Sequence, residues 1–338
     1  MSEMDDSRSS PNAPLLPGEP STAAHLDSAG IDAGYEAGDL DELLDYLPAW
    51  LQEAVEGLDG VLEVRFAVGR RPTVKHEGGF VVLEQRASKQ DVQHVTYKVG
   101  AFNANERAGV GGTLHRIAPV RDDDKSIIGV NIRVGRHVLG VAEPLRQVLL
   151  ETSESLLVLG PPGAGKTTLL RDIARILAHQ EALASDVVIV DASSEIGGAG
   201  RVPHPCIEEA VRLQVPYDMT QADVLLQALR NHGPSVIIAD EIGYASDADV
   251  IKTIAQRGVR VIATGHGRNL EEVMDNEHLL PLIGTPERHL GRRRYRPVFN
   301  HALEIRGHGQ LHLHSDVAKS VDALLAGRTT PALALAGN

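Results

Sequence analysis

Apolar residues follow two different patterns along the chain, and the first pattern covers residues 39–140. The apolar positions of 40–58 recur at helical spacing, in a helix that Pro48 can interrupt. Short apolar runs then predict strands at 62–68 and 80–85, a helix at 88–99, and strands in GTLHRIAPV and at 127–134. The charged stretch RDDDKS between the last two strands predicts a hairpin loop. This pattern predicts a small α+β domain.

The second pattern covers residues 141–327, where apolar runs alternate with amphipathic helices. Strands are predicted in SLLVLG, VVIV, VIIAD and VRVIATGHG, with helices after the first run, near 207–214, at 220–231 and at 246–257. Alternation of this kind predicts a parallel sheet covered by helices on both faces. The segment ALEIRGHGQLHLH predicts a β-hairpin, which a helix at 315–326 and a frayed tail at 328–338 follow.

Charge is distributed unevenly along the chain. The net charge is -13, but the first 45 residues contain eleven acidic residues and one basic residue, so -10 belongs to them and -3 to the rest. Residues 1–38 are also rich in Ser, Pro, Gly and Ala, and we expect them to be a disordered acidic tail. The overall acidity therefore does not exclude a nucleic-acid partner for the folded part.

Composition narrows the class of protein further. Aromatic residues make up only 3% of the chain, so its cores must be built from Val, Ile, Leu and Ala. Cys206 is the single cysteine, which excludes an internal disulfide and a zinc site with several thiolates. Asp5 and Asp6 stand where a signal peptide would be basic, and no apolar run approaches the roughly 20 residues of a membrane span. We expect a cytoplasmic protein without a transmembrane segment.

The stretch GPPGAGKTT at 160–168 lies between a predicted strand and a predicted helix. In that context it is a P-loop, whose backbone N–H groups and helix N-terminus hold phosphate groups. Lys166 is expected to reach the β- and γ-phosphates, and the Thr167 hydroxyl to bind Mg²⁺. We therefore expect ATP and Mg²⁺ as ligands. The nucleotide contacts are expected from Gly160, Pro161, Pro162, Gly163, Ala164, Gly165, Lys166, Thr167 and Thr168.

Two other predicted strands end in carboxylates. VIIADEIG ends in Asp240 and Glu241, and VVIVDASSEIGGAG carries Asp191 and then Glu195. Asp240 is expected to hold Mg²⁺, and Glu241 has the position of the water-orienting base in many P-loop ATPases. One nucleotide site seldom needs two such strands, so the function of the first one needs an explanation.

Four motifs occur in a characteristic order: GPPGAGKTTLLRDIAR, VVIVDASSEIGGAGRVPHPCIEEAVRLQV, VIIADEIG and VRVIATGHG. In these and in the flanking FNANERAGVGGTLHRIAPV the chain resembles ATPases of the stage III sporulation protein AA type and the chloroplast reading-frame-45 family. Those families resemble the type II and type IV secretion ATPases. The resemblance covers roughly residues 40–327. It implies an α/β, RecA-like P-loop NTPase with a parallel central sheet, preceded by a small α+β N-terminal domain.

The resemblance also implies roles for individual residues. Secretion ATPases have an Asp box, a Walker B motif and a His box, which correspond here to Asp191 to Glu195, to Asp240 with Glu241, and to His266. In those ATPases the last acid of the Asp box is the catalytic base, which implies this role for Glu195. The flexible GGAG segment after Glu195 would let its carboxylate approach the attacking water. Glu241 is the alternative base. Their N-terminal arginines imply nucleotide contacts here, with ordinary surface charge as the alternative, for Arg107, Arg116, Arg133 and Arg136.

The function implied is ATP hydrolysis by a motor that moves its two domains relative to each other. We expect a homo-oligomer, with a hexameric ring as its form, and an unidentified protein or nucleic-acid partner. Two alternatives remain: a nucleotide-gated nucleic-acid-binding scaffold with slow turnover, and a small-molecule P-loop kinase. In the kinase the arginines of 288–296 would form a lid, and otherwise they form a solvated loop. An exposed hairpin is favoured over a metal site for His308, His312 and His314.

Overall fold

The structure of the protein is a computed structural model that describes residues 35–36, 40–103, 106–181, 183, 186–306 and 310–335. The acidic tail expected over 1–38 lies outside the described residues, apart from a two-residue strand, β1 (Tyr35–Glu36), which pairs antiparallel with His137–Val138. The tip of the predicted C-terminal hairpin, which includes His308, lies outside them as well.

The first large sheet is antiparallel and has six strands in the order β4-β3-β2-β7-β6-β5. Its strands and the helices around them are α1 (Leu40–Leu44), α2 (Ala49–Glu56), β2 (Val61–Ala67), β3 (Thr73–His76), β4 (Gly79–Val82), α3 (Lys89–Val99), β5 (Ala108–Gly109), β6 (Arg116–Arg121) and β7 (Ile127–Arg133). Strand β8 (His137–Val138) follows in the chain and pairs with β1 outside this sheet. Ser88 caps α3 through a reciprocal pair of hydrogen bonds with Asp91.

One face of this sheet forms a hydrophobic core and the other does not. Val64 and Phe66 on β2 are buried, whereas Arg65 between them is exposed, as the two-residue period of a strand requires. The buried face packs against Leu51 of α2 and Val95 of α3. The helices therefore cover a single face, and the sheet presents its other, polar face outward.

The second large sheet has eight strands in the order β11-β10-β12-β13-β9-β16-β17-β18. The first six strands of that order run parallel to one another, and β17 and β18 continue the sheet as antiparallel strands. The elements of this part are α4 (Arg146–Glu151), β9 (Leu156–Leu159), α5 (Lys166–Ala178), β10 (Val187–Asp191), β11 (Val211–Gln214), α6 (Gln221–Asn231), β12 (Val236–Ile242), α7 (Ala245–Gln256), β13 (Arg260–Gly265), α8 (Leu270–Val273), β14 (Pro286–Glu287), β15 (Arg292–Arg293), β16 (His301–Ile305), β17 (Leu311–His314), α9 (Val317–Leu325) and β18 (Leu333–Leu335).

Helices cover both faces of the parallel sheet. Every residue of β9 and β10 is buried, which explains why these strands are continuous apolar runs in the sequence. Residues of α5 pack on one face, and residues of α6, α7 and α9 pack on the other. The RecA-like α/β fold expected from the sequence is confirmed. No helix in the described ranges is long and apolar enough to cross a membrane.

The helix predicted near 207–214 is wrong. The structure has a 3-10 turn at Pro205–Ile207 and then strand β11, which runs parallel to β10. Glu208 has a φ of +52°, a left-handed value that ends the helical turn after Ile207. Val211 and Leu213 then lie beside Val188 and Val190, so pairing with a buried strand decides the conformation of this segment.

The apolar pattern of the sequence does not predict two of the short strands. β3 has the sequence TVKH, in which only Val74 is buried, and its pairing with β2 and β4 makes it a strand. The tail expected to be frayed at 328–338 contains β18, which pairs antiparallel with β17. Both strands are three or four residues long, so their own apolar content is too small to reveal them.

The predicted C-terminal hairpin is confirmed as β16 and β17, but His314 is fully buried instead of exposed. Its Nε2 atom lies 3.0 Å from Glu304 Oε1, and its Nδ1 atom lies 2.9 Å from the Ser320 hydroxyl. Glu304 also accepts hydrogen bonds from the Leu270 N–H at 2.8 Å and from Arg306 at 2.7 Å. The carboxylate thus joins the hairpin to α8 and α9.

Glu304 gives the fold a specific dependence on pH. Burial by itself would raise the pKa of Glu304, but hydrogen bonds from His314, Leu270 and Arg306 lower it from 4.5 to about 2. A carboxylate with a lowered pKa in the folded state stabilises the fold above its unfolded pKa and loses that contribution as the pH falls.

We expect Glu304→Gln to lower the free energy of unfolding by about 3 kcal/mol at pH 7 and by about 2 kcal/mol near pH 3.5. Urea unfolding at the two pH values measures the difference. Glu277→Gln, at an exposed position in the turn after α8, is the matched control and should have little effect. An equal loss at both pH values would show that the charge of Glu304 is not the cause.

Candidate active site

The P-loop lies where the sequence predicts it, between β9 and α5. Gly163 and Gly165 have φ values of +76° and +87°, which allow the loop to turn back on itself before the helix starts at Lys166. The Lys166 ammonium donates to the Gly160 carbonyl at 2.8 Å and to the Pro161 carbonyl at 3.2 Å. The lysine therefore lies over the mouth of the loop, with α5 directing its N-terminus at the same point.

Asp240 connects the P-loop helix to the neighbouring strands. Its Oδ2 atom accepts from the Thr167 hydroxyl at 2.9 Å, and its Oδ1 atom accepts from the Thr264 hydroxyl at 2.5 Å. The Glu241 N–H lies 3.0 Å from Oδ1, and Gln221 donates to the Asp240 carbonyl at 3.1 Å. The two expected Mg²⁺ residues, Thr167 and Asp240, are thus in direct contact. Their oxygen atoms are the ligand type that Mg²⁺ prefers.

Burial lowers the pKa of Lys166, and the nearby charges of Asp240 and Glu241 partly offset that effect. Burial of an ammonium group disfavours its charged form, and an approaching anion favours it. An additional negative charge at the P-loop, such as that of a phosphate group, would therefore stabilise the charged form of Lys166.

Glu241 lies in a left-handed conformation, with a φ of +50°. Strand β12 has an irregular register between Ala239 and Ile242, and this bend turns the exposed Glu241 side chain outward. A cavity of about 820 Å³ opens here, with Asp240, Glu241 and Arg107 among its lining residues. Strained residues of this kind are typical of functional sites. The candidate base Glu241 therefore faces open space beside the Mg²⁺ carboxylate.

The carboxylate of Asp191, at the end of β10, holds the loop that follows this strand. Its fully buried carboxylate accepts three backbone N–H groups, from Glu195 at 2.9 Å, Ile196 at 3.2 Å and Gly197 at 2.9 Å. Burial raises the pKa of Asp191, and these three hydrogen bonds oppose the increase. The first acid-ended strand thus holds the loop that carries Glu195.

Two arginines hold the same loop through its carbonyl groups. Arg171 of α5 donates to the Glu195 carbonyl at 2.6 Å and to the Ile196 carbonyl at 2.8 Å. Arg212 of β11 contacts the carbonyls of Gly197, Gly198 and Gly200. The GGAG segment, expected to be flexible, is therefore fixed on both sides of its backbone. The backbone hydrogen bonds hold the loop, whereas the Glu195 side chain is 37% exposed.

The Glu195 side chain contacts the two arginines expected at the nucleotide. Arg116 Nη1 lies 2.5 Å from Glu195 Oε1, and Arg107 Nη1 lies 3.4 Å from the same atom. Arg107 also donates to the Ser193 carbonyl at 3.0 Å. The structure thus brings these three residues together, and Arg107 lies on the same cavity as Asp240 and Glu241.

Two glycine-rich segments fit against each other between the sheets. A Cβ atom at Gly198 would lie 2.2 Å from the Thr113 carbonyl oxygen, and one at Gly109 would lie 2.3 Å from the Gly200 nitrogen. The Gly112 N–H donates to the Val202 carbonyl at 3.1 Å. Backbone thus packs directly on backbone at Gly109 and Gly198, with no room for a side chain at either position.

His266 lies after β13, next to the Walker-type strand end. A Cβ atom at Gly243 would lie 2.8 Å from the His266 ring, so the ring packs against the backbone that follows Glu241. The next residue, Gly267, accepts from the Gly160 N–H at 3.0 Å. The His266 turn is therefore connected both to the P-loop and to the strand of Glu241.

Sequence reasoning missed four residues of this arrangement: Thr264, Gln221, Arg171 and Arg212. A threonine at the end of an otherwise apolar buried strand is a signal that could have indicated Thr264. Arg171 and Arg212 resemble ordinary surface cations in the sequence, and only the loop backbone that they contact gives them a role.

Comparison with known proteins shows the family to which this chain belongs. The family model described as "Sporulation stage III, protein AA" matches residues 97–294, which include the P-loop, both acid-ended strands and His266. The chain belongs to the stage III sporulation protein AA family. Stage III sporulation protein AA of Bacillus subtilis (strain 168) is 28% identical over 264 residues, covering 71% of this chain and 86% of the relative.

Relatives with higher identity come from algae and plants. "Protein SEEDLING PLASTID DEVELOPMENT 1" of Arabidopsis thaliana is 40% identical over 312 residues, covering 87% of this chain and 45% of the relative. "Uncharacterized protein ycf45" of Porphyra purpurea is 39% identical over 310 residues, covering 86% of this chain and 54% of the relative. This member of the sporulation protein AA family thus spans about half the length of these two relatives.

Solved structures share the fold. The Legionella pneumophila ATPase DotB has a TM-score of 0.56 at 15% identity, covering 83% of this chain and 84% of DotB. The pilus retraction motor PilT with bound ADP has a TM-score of 0.58 at 16% identity, covering 83% of this chain and 89% of PilT. At such identities the likeness concerns the fold of this sporulation protein AA family member, and its site must be argued from its own residues.

The packing of Gly198 generates a testable expectation. In Gly198→Ala, the left-handed backbone of the alanine should lower the free energy of unfolding by roughly 1 kcal/mol. We expect a further loss of about 1–3 kcal/mol, because the added carbon overlaps the Thr113 carbonyl. Gly258→Ala is the matched control, since Gly258 has a φ of +81° but no atom within 4 Å of its Cβ position. Urea unfolding compares the two variants, and equal losses would show that the contact with Thr113 is loose.

Proposed function

We propose that the protein binds and hydrolyses Mg²⁺-ATP and uses hydrolysis to move the N-terminal sheet relative to the parallel sheet. The observation that carries the proposal is the hydrogen bond of 2.9 Å between Thr167 of the P-loop helix and Asp240 at the end of β12. A hydroxyl and a carboxylate in contact beside a helix N-terminus are the two protein oxygens that a P-loop NTPase offers to Mg²⁺.

The residues present fit this pair of ligands. Backbone N–H groups of Gly163 to Thr168 and the Lys166 ammonium would hold the phosphates, and Thr167 with Asp240 would hold Mg²⁺. Mg²⁺ supplies charge neutralisation at the transferred phosphoryl group when it is bound. Thr264 and the Glu241 N–H keep the Asp240 carboxylate oriented, since both lie within hydrogen-bond distance of its Oδ1 atom.

The proposed reaction is in-line attack of water on the γ-phosphate, with Glu195 as the base. Glu195 is ion-paired with Arg107 and Arg116, so two guanidinium groups engage the carboxylate that would have to face the attacking water. A bound nucleotide would offer both guanidinium groups phosphate oxygens instead, which would release the Glu195 carboxylate toward the water. Glu241, which faces the cavity beside Asp240, is the competing base.

The same exchange of partners supports the proposed domain movement. Arg107 and Arg116 belong to the N-terminal sheet region, and Glu195 belongs to the parallel-sheet region. Replacing the Glu195 partner by phosphate would change what holds the two regions together. The homo-oligomeric ring stays a prediction, because both arginines already contact a carboxylate of their own chain and do not by themselves require a neighbour.

We expect Lys166→Ala to lower the rate of ATP-dependent phosphate release at least about a hundredfold, because its charge stabilises the transferred phosphoryl group. A phosphate-release assay measures the rate, and circular dichroism checks that the fold is intact. Lys319→Ala, at an exposed lysine of α9, is the control and should keep the wild-type rate. Retention of activity by Lys166→Ala would remove the P-loop from the mechanism, and a phosphorylated small molecule in place of free phosphate would indicate a kinase.

A second pair of variants distinguishes the two candidate bases. We expect Glu195→Gln to bind Mg²⁺-ATP with wild-type affinity and to hydrolyse it at least about a hundredfold more slowly, because the amide cannot accept the proton of the attacking water. Glu241→Gln should retain most of the activity. Nucleotide binding by a fluorescent ATP analogue and phosphate release are measured for both. If only Glu241→Gln binds without hydrolysing, Glu241 is the base and the role of Glu195 is to hold Arg107 and Arg116.

A further inference from the structure

Five side chains form a row across the polar face of the N-terminal sheet. Directly paired positions connect Phe80 to Lys75, Lys75 to Glu63, Glu63 to Arg133, and Arg133 to Arg116. Residues that are directly opposite on neighbouring strands point to the same face of a sheet. The row spans four strand intervals of about 4.8 Å each, or about 19 Å.

A second row runs parallel to the first, two residues farther along the strands. Arg65 lies at its centre, paired with Thr73 on one side and Asn131 on the other. Val82 is opposite Thr73, and Ala118 is opposite Asn131. The two rows place four cations and one anion on the face, and Arg107 adds a fifth cation at the Arg116 end. We call this surface of β2, β3, β4, β6 and β7 the basic face.

The side chains of the basic face are accessible. Phe80 is 71% exposed although the chain has only four Phe residues, and Lys75 and Arg133 are exposed as well. Within the described residues, no hydrogen bond or ion pair engages the Lys75 or Arg133 side chain. A cavity of about 460 Å³ is lined by Lys75, Arg107, Arg116 and Arg133. Arg65 is ion-paired with Glu63 on the same face, and Arg116 is ion-paired with Glu195. An exposed aromatic ring and two cations without a partner, Lys75 and Arg133, therefore lie on one sheet face and can be paired by a single ligand.

We propose that the basic face binds a single-stranded polynucleotide. Its phosphates would contact Lys75 and Arg133 and would compete with Glu63 for the Arg65 guanidinium group, and one of its bases would stack on Phe80 at the edge of the sheet. Binding of this kind combines a cationic track with an aromatic platform and requires no particular sequence. A duplex fits this face poorly, because its bases are already stacked and cannot use the Phe80 ring.

The location of the basic face connects this proposal to the ATP site. Arg116 ends the row, and its guanidinium contacts Glu195. A polynucleotide that reached Arg116 would compete with Glu195 for the same guanidinium group, and it would thereby change the surroundings of the proposed base. This coupling rests on the proposed function, whereas binding to Lys75, Arg65 and Phe80 does not.

The test uses the full chain and fluorescein-labelled single strands of twenty nucleotides, oligo(dT) and oligo(U), in fluorescence anisotropy titrations at several salt concentrations. We expect both strands to bind, with an affinity that falls as salt rises. Lys75→Ala and Arg65→Ala should each reduce the slope of log K against log salt by about 0.7, the value for one phosphate contact with a single strand. Phe80→Ala should weaken binding about tenfold, as loss of one stacked base does.

Matched controls lie on α3, which covers the opposite face of the same sheet. Lys89→Ala removes an equivalent exposed charge, and Tyr97→Ala removes a ring that is 89% exposed. Both variants should bind like the wild type. Circular dichroism of every variant checks that the sheet is intact, so that a loss of binding is not a loss of fold. If oligo(U) binds and oligo(dT) does not, the ligand is RNA, and the reverse result assigns DNA.

Four results would overturn the proposal. Absence of binding at low salt, or equal losses in the α3 controls, would show that the basic face is not the site. Binding of poly-glutamate with the affinity of the oligonucleotides, together with oligonucleotide binding that Phe80→Ala does not weaken, would assign the face to an acidic protein. Association of the chain with itself through the face, seen as a Lys75-dependent change in light scattering, would assign it to a second copy. Phosphate release is measured separately, so failure of the ATPase proposal leaves this test unaffected.

Discussion

The arrangement of the site depends on the hydrogen bonds of one buried carboxylate, that of Asp240. It accepts from Thr167 on the P-loop helix and from Thr264 on the adjacent strand, so three elements that are far apart in sequence meet at one group. A buried carboxylate is costly unless it is fully hydrogen-bonded, and these hydroxyls satisfy it. The parallel sheet, with helices on both faces, holds the strand ends close enough for this contact.

Asp191 plays a comparable role one strand away, but its partners are different. Its three N–H donors lie in the loop that follows, so this carboxylate shapes a loop instead of approaching a ligand. Arg171 and Arg212 complete the shaping by contacting carbonyls of the same loop. The two acid-ended strands therefore have separate tasks: the carboxylate of one contacts the P-loop helix, and the carboxylate of the other positions Glu195 against the N-terminal arginines.

The sequence allowed the P-loop, the parallel sheet and the acid-ended strands to be predicted, because each depends on local composition and on strand-to-helix order. The partners of the site residues could not be predicted in the same way. Arg171 and Arg212 acquire their roles from loop carbonyls, which leave no trace in side-chain chemistry. His314 looked exposed in an alternating strand, yet the fold places it against Glu304 and Ser320. The sequence of strand β11 predicts a helix, and only pairing with its neighbour β10 makes this segment a strand.

The contact between Gly198 and Thr113 restricts how the two sheets can move. Side chains at an interface can change rotamer and absorb small displacements, but two backbones in direct contact have no such adjustable layer. The interface can therefore remain in place or separate as a whole, with few stable positions between these extremes. Any motion between the two sheets that breaks this contact would therefore be stepwise.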